Sequence, residues 1–200
     1  MAEIALAALQ AGPPQPGTGA LRGLPAPLVE GPVAADVRID DGLGFALLLH
    51  RRSDGLVSEE LYYSVRKRSG DWLGCEHLSG AVLGFDVEMP TAIEDALSGA
   101  SLAVVSDSES LIYTGRSDAE EEYEPVRVLT VLVGGHVDLI EIEDLSPDST
   151  ARDGHFRTDV RSPLMLLVLL PGRHLRVSAL QRQGPSLVMT GDALELSSPG

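Results

Sequence analysis

Four groups of residues in this chain have types and spacings that could carry chemistry. The first is Gly134-Gly135-His136-Val137-Asp138, followed by Glu141 and Glu143, with His174 just after Pro171-Gly172-Arg173. Imidazoles and carboxylates are metal ligands, but a site needs three or four of them converging on one point. His136 and Asp138 share a strand face, and Glu141 joins them only if the strand keeps its phase. His136, Asp138, Glu141 and His174 are therefore one candidate ligand set. The plainer reading makes the first three exposed polar residues among Val137, Ile140 and Ile142.

The second group is basic: Arg51, Arg52, Arg66, Lys67 and Arg68, with Trp72 and His77 shortly after. If a hairpin pairs the strands around Asp54-Gly55, these side chains come near one another. Arg51, Arg52, Arg66, Arg68, Trp72 and His77 then form a candidate surface for an anion or an acidic partner. A charged strand edge that discourages aggregation would look the same. The third group is the carboxylate pair Asp86 and Glu88, which could do acid–base work only if their pKa values were pushed apart. Period-2 alternation with Phe85 and Val87 already explains it as a solvated face. The fourth, Asp148, Ser149, Thr150 and Asp153, has calcium-type oxygens without the spacing of a calcium loop.

The arrangement of Gly134-Gly135-His136 on one turn and Pro171-Gly172-Arg173-His174 on a later one resembles the cupin family over the last third of the chain. That resemblance implies a small double-sheet β barrel holding a metal through histidines and a carboxylate, and an isomerase or oxygenase activity. Asp138 stands where a second histidine belongs in that pattern, and His174 lies close to its turn. Other signatures are absent: no Gly-Lys-Ser/Thr phosphate loop, no GxGxxG, no GxSxG elbow and no HExxH. With Cys75 as the single cysteine, a CxxC site and an intrachain disulfide are impossible.

These residues must be positioned by elements that the rest of the chain specifies. The 200 residues are 44% hydrophobic and 22% charged, a globular composition that needs no disulfide or metal for stability. The formal net charge of −15 disfavours nucleic acid. Solubility explains it most simply, and a basic partner or a cation is compatible with it. Lys67 is the only lysine, and the Arg-, Ala- and Gly-rich usage points to a GC-rich bacterial genome. A lone cysteine fits a reducing cytosol, so a cytoplasmic location is expected. The start lacks a basic n-region, so no secretory leader is expected. The strongest apolar run, Leu164 to Leu170, is too short for a membrane helix and reads as a strand buried on both faces.

Residues 2–10 read as a short helix with Ile4, Leu6 and Leu9 partly on one side. Gly12 to Pro32 is a Pro/Gly-rich arm, with Leu21, Leu24, Leu28 and Val29 spaced to lie along a domain. Residues 33–200 read as a single domain of about ten short strands. Strands are expected at Phe45 to Arg52, at Leu61 to Val65 (half-exposed), and at Ala81 to Met89. Pro90 to Gly99 is expected to form a crossover helix of about two turns. A turn is expected at Ser106-Asp107-Ser108, and a solvated loop at Asp118 to Glu122. Val126 to Val133 reads as a central strand. Hairpins are expected at Gly134-Gly135 and Pro171-Gly172, and a β-bulge where the apolar phase changes between Leu139 and Ile140. Residues 145–162 read as loop.

The fold class that follows is all-β and mainly antiparallel: a sandwich, jelly roll or cupin-like barrel. The leading functional expectation is a non-enzymatic binding or assembly module acting through protein–protein contacts or self-association, without cofactor, nucleic acid or membrane. The alternatives are the cupin-like metal or small-molecule protein and an acidic immunity or antitoxin-like protein that covers a basic partner.

Overall fold

Alternation of apolar side chains along two central strands organises the whole fold. Strand β6 (Tyr123–Val133) sends Val126, Val128 and Leu132 into one core, and Leu129, Val131 and Val133 into another. Strand β9 (Leu164–Leu169) does the same, with Leu164, Leu166 and Val168 on one side and Leu167 and Leu169 on the other. Two-sided hydrophobicity forces such strands into the middle of a stack. The computed structural model describes residues 1–13, 23–115, 123–147 and 154–198, and shows three antiparallel sheets layered in this way.

The first sheet has the order β1 (Val33–Asp40), β2 (Leu43–Arg51), β3 (Val57–Val65) and β4 (Glu76–Val82). The central sheet has the order β5 (Leu102–Tyr113), β6, β9. The outer sheet runs β11 (Ser186–Met189), β10 (His174–Gln183), β7 (Leu139–Asp144), β8 (His155–Asp159). Its last strand, β12 (Leu194–Ser197), pairs with the beginning of β10. Leu43, Phe45, Leu47 and Leu49 of β2 face the central sheet across the first core. Ile140, Ile142, Val177 and Ala179 face its opposite side across the second. The described strands form a sandwich and do not close into a barrel, so the closed cupin-like architecture is excluded.

The helix α1 (Ala2–Ala11) lies on the other face of the first sheet. Its buried stripe is Ala5 and Leu9, flanked by Ile4 and Ala8, against Ala46, Leu48 and Tyr62. Leu6 lies beside this stripe rather than in it. Gly44 makes the close approach possible: a Cβ there would sit 2.8 Å from Leu9 Cδ2 and 2.9 Å from the Trp72 ring. Because the helix and Trp72 cover that face, Tyr62 and Ser64 are buried, and β3 is not the half-exposed strand its alternation predicts.

The second helix, α2 (Pro90–Leu97), begins on proline at its first turn and ends on left-handed Ser98 and Gly99. It carries the chain from β4 to β5, as expected. Five other expectations are corrected. β4 ends at Val82, and the chain then leaves the sheet, with the Asp86 carboxylate accepting the Glu88 N–H. Ser106-Asp107-Ser108 is not a turn: β5 runs unbroken for 12 residues, with a bulge between Val104 and Ser106. Cross-strand partners on β6 hold those polar residues in the ladder. The Gly134-Gly135 and Pro171-Gly172 turns are not hairpins, because β6 and β9 belong to the central sheet while β7 and β10 pair in the outer one. No bulge occurs in β7, which pairs with β10 in unbroken register from Leu139 to Asp144. Val137 belongs to the preceding turn, and this is what shifts the apolar phase. The segment 145–162 contains strand β8 at the sheet edge. The Asp118 to Glu122 loop and the Asp148, Ser149, Thr150 and Asp153 group lie outside the described residues, as does Leu21 of the arm.

Candidate functional site

The hairpin at Asp54-Gly55 forms, but it separates the basic group. Arg51 pairs opposite Val57 beside the turn, while Val65 pairs opposite Leu43 at the other end of the ladder. Eight rungs at about 3.4 Å place Arg66 and Arg68 roughly 27 Å from Arg51. Arg52 pairs with Asp54 at 3.0 Å. Arg66 stacks over Trp72, its guanidinium carbon 5.4 Å from the ring, and donates to the Gly70 carbonyl. Trp72 belongs to the cluster beneath α1. His77 lies 2.7 Å from Glu60 and packs edge-on against Tyr62. Arg68 is exposed.

The metal-type group is dispersed as well. His136 Nε2 is 2.9 Å from Ser101 Oγ. Asp138 accepts the Arg182 N–H at 2.7 Å. Glu141 is held by Arg157 and His155. His174 lies at the other end of the β7–β10 ladder: Asp138 bonds to the Leu180 carbonyl, and Leu145 to that of His174. Six residues of strand between them span about 20 Å. Among the described residues, no three His, Cys, Asp or Glu side chains are grouped to hold a metal ion.

Two groups that looked independent in sequence meet. Arg51 Nη2 lies 3.0 Å from Asp86 and 2.6 Å from Glu88, and Nη1 donates to the Gly55 carbonyl. Asp86 and Glu88 are thus a clamp on one guanidinium rather than an acid–base pair. Glu88 uses its other oxygen to accept the Leu28 N–H at 3.0 Å. Leu28 is 2% exposed and belongs to the first core. This pins the arm to the sandwich, together with the bond from Gly23 N–H to the Arg161 carbonyl at 3.1 Å. Val29, by contrast, is 82% exposed.

Pinning the arm creates a groove. Leu24, Pro25, Ala26 and Pro27 form one wall, and Val87, Pro90, Ile93 and Glu94 at the start of α2 form another. Val133, Gly134 and Gly135 form the floor, with Val160, Ser162 and Pro163 opposite. The volume is about 430 Å³, within the range of ligand sites, and the lining is mostly apolar. Among the described residues its titratable side chains are Glu88 and Glu94, both at the α2 side. Gly134 must be glycine here, because a Cβ would fall 2.8 Å from the His136 ring.

Ser101, His136 and Thr190 form a polar knot beside this floor. Ser101 Oγ is 2.9 Å from His136 Nε2 and 3.2 Å from Thr190 Oγ1. The first distance is that of a nucleophile and its base. Ser101 is only 4% exposed, however, and lines neither the groove nor the smaller cleft near β1. The knot therefore ties three turns together and fixes the floor from behind.

A further buried group was not singled out by sequence. Glu59 projects into the first core at 4% exposure, hydrogen-bonded by Ser106 and Thr130, with Oε2 unpartnered. Burial raises its pKa. The polar residue in the alternation Val57-x-Glu59-x-Leu61 was its only signature. The groove had a fainter one, the regular leucines of the arm.

The chain matches no protein-family model, and no curated protein or solved structure is significantly similar to it.

Proposed function

We propose that the chain is a non-enzymatic binding module that acts through protein–protein contacts and receives an apolar, basic-flanked segment of a partner in the groove between arm and α2. One observation carries this reading: a groove of about 430 Å³ whose lining is mostly apolar and whose charged groups, among the described residues, are Glu88 and Glu94. Apolar walls supply affinity through buried area, about 25 cal/mol per Å². Carboxylates at the rim, on a chain of net charge −15, favour Lys or Arg beside the apolar segment and raise its association rate. Glu88 is already bound to Arg51 and Leu28, so Glu94 is the carboxylate available to such a partner.

The test is selection of binders from a displayed library of short peptides, half with apolar cores flanked by Lys or Arg and half flanked by Asp or Glu. The reading expects basic-flanked winners that lose at least tenfold in affinity for Ile93→Glu, with the far-ultraviolet spectrum unchanged. Winners that bind Ile93→Glu as well as the parent protein, or acidic-flanked winners, would refute it.

A further inference from the structure

Among the described residues, seven of the eleven arginines are held by carboxylates. They are Arg51, Arg52, Arg127, Arg157, Arg173, Arg176 and Arg182. Of the other four, Arg66 donates to the Gly70 carbonyl and Arg68 is exposed, which leaves Arg38 and Arg161. Both are half-buried, both line the same cleft, and among the described residues neither forms an ion pair or a side-chain hydrogen bond. On a chain with twice as many acidic as basic residues, 30 against 15, two arginines that line one cavity without an ion pair among the described residues need an explanation.

The cleft lies between β1, the segment after β8, and β9, with a volume of about 120 Å³. That is the share of roughly four waters at about 30 Å³ each, enough for one oxyanion group. Local structure explains why the arginines stay unpaired. The bulge between Ala34 and Asp36 turns the Asp36 carboxylate toward β9. There one oxygen accepts the Leu166 N–H at 2.7 Å, and the other accepts the Val37 N–H at 2.9 Å. Both oxygens are thus committed to backbone. Asp159, also in the lining, is held by Arg182 at 3.0 Å. Arg38 lies over the Phe156 ring, 5.1 Å from its centre. Stacking of that kind holds a guanidinium plane while leaving its N–H edge free to bond.

We propose that this cleft is an anion-binding site, in which Arg38 and Arg161 together hold a single small oxyanion, a carboxylate or a phosphate. The paired N–H forks of two guanidinium groups match the oxygens of such a group. The charged groups that line the cleft are Asp36 and Arg38 from β1, Arg161, and Asp159. Of these, Asp36 and Asp159 oppose the anion, and Asp159 is offset by its pairing with Arg182 while, among the described residues, Asp36 has no ion pair. Its negative charge is removed in mild acid, since burial pushes its pKa up to about 6. An anion whose own charge is constant therefore binds more tightly on the acid side.

The experiment is calorimetric titration of the full chain with sulfate, inorganic phosphate and acetate, at ionic strength matched with chloride. Saturable binding of one equivalent is expected. Phosphate favoured over acetate assigns the site to a phosphate group, and the reverse assigns it to a carboxylate. Arg161→Gln and Arg38→Gln should each weaken binding by at least tenfold. Sulfate should bind several-fold tighter at about pH 5 than at about pH 8, because Asp36 loses its charge in acid. The proposal is overturned if none of the anions binds more strongly than chloride. It is also overturned if Arg161→Gln, shown folded by its circular dichroism, binds as the parent does, or if sulfate affinity is the same at both pH values. None of these outcomes bears on the groove, whose test uses other residues.

Discussion

Asp36 gives the fold an unusual pH dependence. Its carboxylate is carried into the junction of β1 and β9, and loss of hydration outweighs the backbone bonds from Leu166 and Val37 and the fields of Arg38 and Arg161. The pKa therefore rises from 3.8 to about 6. Between those values the folded protein keeps a proton that the unfolded chain has released. Stability contributed by this group is complete below about pH 3.8 and is lost as the pH rises through about 6. At roughly 1.36 kcal/mol per pH unit, the loss is about 3 kcal/mol. The perturbation is Asp36→Ala, which removes the titration along with two hydrogen bonds. The lost bonds shift the stability of the variant by an amount that does not depend on pH. The difference between parent and variant should therefore shrink by about 3 kcal/mol across this window. Urea unfolding, followed by the fluorescence of Trp72 at a series of pH values, measures it. A difference that grows with pH, or stays constant, would refute the assignment of a raised pKa to Asp36.

Glu59→Gln should be more stable than the parent at neutral and alkaline pH, because burial holds the Glu59 proton above the ordinary carboxylate range and glutamine has none to lose. The advantage should vanish in acid, where both side chains are neutral; denaturation at two pH values reads it. Gly44→Ala should destabilise by about 1–3 kcal/mol, since its Cβ meets Leu9 and Trp72 at under 3 Å and well-packed neighbours yield at that cost. A lower melting temperature together with a red-shifted Trp72 emission would show that α1 has lifted from the sheet.

The sequence was most readable where burial acts on both faces of a strand. Val126 to Val133 reads as central and Leu164 to Leu170 as buried on both faces, and both strands lie in the middle sheet with a core on either side. It was readable also at α2, where proline begins the helix and left-handed residues end it. It misled where two local patterns had the same appearance. A Gly-Gly or Pro-Gly turn reverses the chain whether the next strand pairs with the last or joins another sheet. Ser106-Asp107-Ser108 looks like a turn, although Thr130, Leu129 and Val128 lie opposite and keep it in a strand.

What the sequence determined by itself is the class: an acidic, antiparallel β protein with a proline-rich arm and one short connecting helix. Period-2 burial, turn residues and composition act locally, and local rules can be read along a chain. What the tertiary structure decided is which distant residues meet. Strand pairing set Arg51 about 27 Å from Arg66 and gave it Asp86 and Glu88 instead. The Leu28–Glu88 bond brought an arm across 60 residues to wall a groove. A bulge aimed Asp36 at Leu166, 130 residues away, so that Arg38 and Arg161 act on its carboxylate through their fields without an ion pair. Contacts of that separation are fixed by how the sheets stack, and no local pattern records them.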